Sequence, residues 1–348
     1  MRFTLYPIHR LSVEWEDDPF NLDRLPFDVT EGVRIEDVSA RFTPGAFDRW
    51  TEMVGTRVVE ELKLVEFALV HRYDPEPIIN PENGEVLGKQ QFSESSRKLI
   101  ELLAACLRLI RPMRQYASLI HGHIHEDDGG FDVQGFDVLS HMVEVPDVQK
   151  LFSLRNRDAE DLRALAPEFL RGMRGEFWKI RMAVQFHDLG HFQTLDWKAR
   201  YLLWCSAIES IYTSHNWEHR GSLVATSRIK WFIGEDTSIY APGDIPNTIE
   251  DPGIKVGQIV NDLYEMRNFM AHGDKIPDPF FTVILRRGLN DEIRKREVLL
   301  EAASFIIRSS VLKILRNGLL EHFAGAGPAE AYFSAAGLTK SALRPARR

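Results

Sequence analysis

Arg267, Asn268 and His272 fall together in the stretch Asp262-Leu263-Tyr264-Glu265-Met266-Arg267-Asn268-Phe269-Met270-Ala271-His272-Gly273. Arginine offers a forked donor to a phosphate, and histidine can pass a proton near neutral pH. An arginine, an amide and an imidazole so spaced are therefore suited to phosphodiester chemistry. Gly253 and Gly257 precede the stretch and Pro277 and Pro279 follow it, so it reads as one helix with a marked start and stop. Val256, Ile259, Val260, Leu263, Met266 and Met270 recur at helical spacing and form a core-facing stripe. At about 100° per residue, Asn268 and His272 share the far side, with Arg267 at the stripe's edge. Gly273 can take the left-handed conformation that ends a helix, which places His272 in the last turn.

The 348 residues suffice for two domains and a sizeable core, and 44% hydrophobic with 27% charged is ordinary for a globular chain. No apolar run approaches the roughly 20 residues that span a bilayer. The opening Met1-Arg2-Phe3-Thr4-Leu5-Tyr6-Pro7-Ile8-His9-Arg10 is charged too early for a signal peptide, so a cytoplasmic protein without membrane contact is expected. Only Cys106 and Cys205 are present, both in apolar helical patterns, which excludes a disulfide framework and a paired-cysteine zinc site. The net charge of −8 argues against a dedicated nucleic-acid coat. Its distribution is uneven. Residues 1–150 carry 27 acidic and 16 basic side chains, and residues 151–348 carry 24 and 27. A polyanion would prefer the second half, and the acidic first half would mask it until displaced.

The spacing predicts an α+β domain over 1–150, an all-α bundle over 155–330 and a basic tail over 331–348, predominantly helical overall. Val33–Val38 reads as a strand, and Pro44-Gly45 opens a helix through Phe47, Trp50, Met53 and Val54. Leu62–Val70 is apolar enough for a central strand, and residues 74–91 read as a surface loop. Ser93 and Ser95 offer caps to a helix that ends at Pro112. Further helices are expected over Asp158–Met173, Glu176–His187, Trp197–Thr213, Trp217–Ile233 and Asn290–Phe323, with a loop over 234–253 and a frayed end after Gly325.

Arg267-Asn268-Phe269-Met270-Ala271-His272-Gly273 resembles the Arg-x4-6-His signature of the HEPN superfamily, the higher eukaryotes and prokaryotes nucleotide-binding domains. Its setting is similar to the large bacterial branch: a late motif helix, an earlier helix with an acid in Ala207-Ile208-Glu209-Ser210, Tyr264 just before the motif, and a closing helix. The likeness covers roughly residues 155–330, and the first half matches no family. It implies an all-α HEPN-like bundle and a metal-independent endoribonuclease or RNA-binding protein. Such a protein acts as a homodimer through its motif helices, without cofactor or metal. Stress response, toxin–antitoxin pairing with a protein antitoxin or regulator, and antiviral defence are the contexts it implies. The ribose 2′-hydroxyl can attack the adjacent phosphorus, leaving a 2′,3′-cyclic phosphate, so the protein need only move a proton and stabilise charge. His272 would be the general acid/base and Arg267 the phosphate clamp. Asn268 would orient the imidazole ring or the phosphate, and Glu209 would pair with Arg267 or assist as base. Arg267 and His272 lie about 140° apart on an ideal helix, so a partner's copy would complete the site.

Other clusters have plainer readings. Phe186-His187-Asp188-Leu189-Gly190-His191 looks like the His-Asp doublet of metal-dependent phosphohydrolases, but nothing selects His141 or Asp236 as its further ligands. A helix end followed by a turn explains it more simply. His121-Gly122-His123-Ile124-His125-Glu126-Asp127-Asp128 has ligand chemistry, yet Gly122, Gly129 and Gly130 point to a solvated loop. Trp217, Glu218, His219 and Arg220 open a helix expected beside the motif helix, where Arg220 and Arg228 would lengthen a phosphate track or, more plainly, serve as surface and capping charge. Trp50, Trp178, Trp197, Trp204 and Trp231 read as core. A non-catalytic scaffold for dimerisation or partner docking is the alternative function, and a metal phosphohydrolase the second alternative.

Overall fold

The computed structural model describes residues 1–8, 20–43, 45–63, 65–90, 93–111, 118–127, 129–138, 154–191, 196–213, 221–239, 254–272 and 292–339. Contacts divide the chain into two units, Met1–Val143 with Leu151–Pro167, and Glu144–Lys150 with Glu168–Arg348.

Alternating apolar residues in the first unit build a six-stranded sheet. Its strands are β1 Arg2–Ile8, β2 Phe27–Thr30, β3 Val33–Asp37, β4 Phe67–Tyr73, β7 Ser118–Ile124 and β8 Phe131–Val138. They lie in the order β2-β3-β4-β1-β7-β8, with every neighbouring pair antiparallel. Strand β1 is central, with Arg2 opposite Tyr73 on one side and His123 on the other. Phe3, Leu5, Ala68, Val70, Ile120 and Phe131 form a core on one face, packed with Phe47, Val59 and Leu62 from the segment carrying the short helices α1 Thr51–Val54 and α2 Thr56–Lys63. The other face lies under α3 Glu94–Ile110, where Arg108 donates to the Tyr6 hydroxyl at 3.1 Å and His71 Nδ1 meets Ser96 Oγ at 2.8 Å. Ser93 caps α3 by accepting from Ser96 N, as its sequence suggests.

Three expectations for this half need correction. The apolar run from Leu62 is not one strand: Leu62 and Lys63 end α2, and the strand begins at Phe67. Helix end and strand both bury against the sheet, so hydrophobicity alone does not separate them. Residues 74–91 are not wholly loop. Pro77–Ile79 (β5) and Val86–Lys89 (β6) pair as a separate two-stranded ribbon, with Ile78, Ile79, Val86 and Leu87 exposed. His121 and His123 are not in a loop but in β7, where buried His121 Nδ1 meets Thr4 Oγ1 at 3.2 Å. Gly122 reflects crowding rather than freedom. A Cβ there would come within 2.1 Å of the Asp132 carbonyl oxygen and 2.6 Å of the Phe3 ring.

In the second unit the regular elements described are helices: the end of α4 Asn156–Gly172, then α5 Trp178–Gly190, α6 Trp197–Tyr212, α7 Gly221–Ile233, α8 Val256–His272, α9 Glu292–Arg316 and α10 Ala326–Ala335. Helix α9 packs on α5, α6, α7 and α8, burying Val298, Leu299, Ala303, Ile306, Ile307, Val311 and Ile314. The periodicity finds the helices, but the closing helix expected to reach Phe323 stops at Arg316, and a separate 3-10 turn covers Leu320–Phe323. The division at Pro167 assigns the first turns of α4 to the sheet unit rather than to the bundle expected from residue 155. There, the Arg155 guanidinium donates two bonds of 3.0 Å to the Asp158 carboxylate.

The end expected to fray after Gly325 is instead α10, held by fully buried Phe333 among Tyr212, Phe232, Phe323 and Tyr332. Trp204 is core, but Trp231 is 47% exposed and is not. Residues 240–253, 214–220 and the basic end from Lys340 lie outside the described residues. Among the described residues, no helix is long and apolar enough to cross a membrane.

Candidate functional site

Helices α6 and α8 place the residues singled out by the motif. Asp196 fixes the start of α6, its carboxylate accepting from Lys198 N at 2.7 Å and Ala199 N at 3.1 Å. The other end of α6 is held by two cations, as the negative end of a helix dipole favours. Buried Lys179 donates to the carbonyls of Ser210 at 2.7 Å and Thr213 at 2.5 Å, and Arg228 to that of Tyr212 at 3.0 Å. Burial, with Arg228 nearby, pulls the Lys179 ammonium down to about 8. Helix α8 starts where Gly257 passes Glu235 so closely that a Cβ would lie 3.0 Å from its carbonyl oxygen. The Tyr201 hydroxyl of α6 donates to the Leu263 carbonyl of α8 at 2.5 Å, pinning the helices together one turn before Arg267.

Beyond that pin, Arg267 turns toward α6. Its Nη2 lies 3.1 and 3.2 Å from the two carboxylate oxygens of Glu209, and its Nη1 donates to Asn268 Oδ1 at 3.3 Å. The pair is part-exposed, with 32% of the Arg267 side chain and 29% of the Glu209 side chain in solvent. The expected partnership of Glu209 and Arg267 is thus present in the free chain. His272 is the last residue of α8 and is exposed, while Gly273 lies outside the described residues. Inside the pair sit Cys205, one turn before Glu209, and Tyr264, one turn before Arg267, both buried. Burial and the Glu209 carboxylate push the Cys205 thiol and the Tyr264 hydroxyl well up. Tyr264 matters to this site more than its sequence position suggests. The usable signal was its spacing, three and four residues before Arg267 and Asn268, which puts it beside both.

Asp262 sits on another side of α8. Among the described residues its buried Oδ2 has no hydrogen-bond partner, and burial, with Glu265 nearby, raises its carboxyl from 3.8 to about 6. The native state therefore binds more protons than the unfolded chain between about pH 4 and 6, and Asp262 lowers stability as pH rises through that window. Asp262→Asn is expected to stabilise the fold by about 1–3 kcal/mol at pH 7 and by nothing near pH 4. Urea midpoints at the two pH values check this.

The remaining candidates do not join this site. His187, fully buried, ends α5 against Ser304 Oγ at 3.0 Å and His191 Nε2 at 3.4 Å, and its carbonyl accepts from Trp204 Nε1 at 2.9 Å. Gly190 exists for that contact, since a Cβ would fall 2.2 Å from the same indole nitrogen. Of the further ligands considered, Asp236 is paired with Lys255 at 2.7 Å and His141 lies outside the described residues. Among the described residues, no group of three His, Cys, Asp or Glu is placed to hold a metal ion. Arg228 does not extend a phosphate track: it is 1% exposed and serves α10 and α6 instead. Trp217, Glu218, His219 and Arg220 lie outside the described residues. Searches against family models, curated proteins and solved structures return no match to this chain.

Proposed function

We propose that the helical half is a HEPN-like, metal-independent endoribonuclease or RNA-binding domain acting as a cytoplasmic homodimer. The observation that carries this reading is the part-exposed Glu209–Arg267–Asn268 cluster with exposed His272 at the end of the same helix. Arg267 would clamp a phosphate, and His272 would take the 2′-hydroxyl proton or protonate the leaving 5′-oxygen. Arg267 is turned inward while His272 lies exposed at the helix end, which favours a site completed by a second copy of the chain. Stress response, toxin–antitoxin pairing and antiviral defence remain the contexts the motif suggests.

The competing reading is a scaffold in which Glu209 and Arg267 form a structural ion pair. The engagement of Arg267 by its own chain favours it. Incubating the protein with mixed RNA, with and without EDTA, separates the readings. Chelator-resistant cleavage that disappears in Arg267→Ala supports the ribonuclease. No cleavage supports the scaffold, and chelator-sensitive cleavage supports a metal phosphohydrolase.

A further inference from the structure

Among the described residues the buried Tyr264 hydroxyl has no hydrogen-bond partner, although Tyr264 precedes Arg267 by one turn of α8 and lies close enough to Glu209 for that carboxylate to push its hydroxyl up. A buried donor without an acceptor is costly, and few survive in a folded core. The Glu209 carboxylate is held by Arg267, Asn268 Oδ1 also accepts from Arg267, and the Tyr201 hydroxyl donates to the Leu263 carbonyl. An idle donor beside a carboxylate that already has a partner is what a side chain with two alternative positions leaves behind.

We infer that Glu209 exchanges partners: it holds Arg267 in the free protein and moves to the Tyr264 hydroxyl when an RNA phosphate takes the arginine. Tyr264 is then a positioning residue, acting through Glu209 without touching RNA. The exchange leaves no charge stranded. The phosphate replaces the carboxylate on the guanidinium, and the displaced carboxylate gains a buried hydroxyl donor. It also turns an unfavourable feature of the free state into binding energy, because the orphaned hydroxyl is satisfied only in the complex. The inference rests on the proposed anion-binding role of Arg267, and its test includes an arm free of RNA.

In that arm, thermal midpoints are compared for Tyr264→Phe in two backgrounds. With Arg267 present, loss of an unbonded hydroxyl is expected to leave the midpoint unchanged or raised. In Arg267→Ala, Glu209 is freed to accept from Tyr264, so adding Tyr264→Phe is expected to lower the midpoint by about 2–4 °C. Equal effects in both backgrounds overturn the exchange. The second arm measures binding of a short 2′-O-methyl RNA, which cannot cyclise. Tyr264→Phe is expected to weaken it roughly tenfold, and to have no effect once Glu209→Ala has removed the acceptor. Undiminished binding by Tyr264→Phe, or equal loss with and without Glu209, overturns the exchange. If Arg267→Ala binds this RNA as wild type does, or wild type does not bind it, the RNA reading falls whatever the first arm gives.

Discussion

Arg228→Ala is expected to lower folding stability by about 3–5 kcal/mol, read as an earlier urea midpoint with an unchanged slope. The residue is 1% exposed, yet its guanidinium is fully employed. Its Nη2 donates to both oxygens of Glu330 at 2.8 Å and to the Leu338 carbonyl at 3.1 Å, Nε donates to the same carbonyl at 3.2 Å, and Nη1 to the Tyr212 carbonyl. The guanidinium also lies over the Phe333 ring, 4.7 Å from its centroid. Alanine would leave a cavity, two carbonyls without their donor and a carboxylate without its cation. Glu330 keeps 37% of its side chain in water, which moves the expectation toward the lower end of the range. Arg228→Lys should recover little, because an ammonium cannot span the fork that Glu330 and the two carbonyls define.

His272→Ala is expected to reduce the proposed RNA cleavage by about 10²–10⁴-fold. The same change should leave the thermal midpoint unchanged, because His272 is exposed at the end of its helix. Arg267→Ala differs in kind. It removes the clamp and releases Glu209, so RNA binding should fall with cleavage, whereas His272→Ala should bind RNA as wild type does. Single-turnover cleavage measured beside binding of the 2′-O-methyl RNA separates the two effects. Equal cleavage by wild type and His272→Ala would remove the imidazole from the mechanism.

Helix periodicity places His272 in the last turn of the motif helix, and the Ser93 cap marks the start of α3. Both signals are local, carried by residues within a turn or two of one another. What the sequence concealed was long-range. Arg228 reads like any surface arginine because Glu330 and Leu338, which bury it, stand about a hundred residues downstream. Gly122 and Gly190 read as loop and helix-end markers, yet each is required by a neighbour pressing on its Cβ position, and that neighbour is distant in sequence or beyond the turn. The helical angle puts Arg267 at the edge of its apolar stripe but does not say which helix faces it. The partner is α6, through Glu209. The ligand chemistry of His121 and His123 was legible as composition only. Sheet register sets His121 under the first strand beside Thr4, where packing and a hydroxyl contact account for it.

An arginine that already grips a carboxylate from its own chain sets a threshold for outsiders. Glu209 is carried by the neighbouring helix α6, so an outside anion must compete with a carboxylate already in place. Lone phosphate or a mononucleotide, with a single point of attachment, competes poorly against it. On the proposed RNA reading, a polymer that brings several contacts at once would displace it where a single small anion would not.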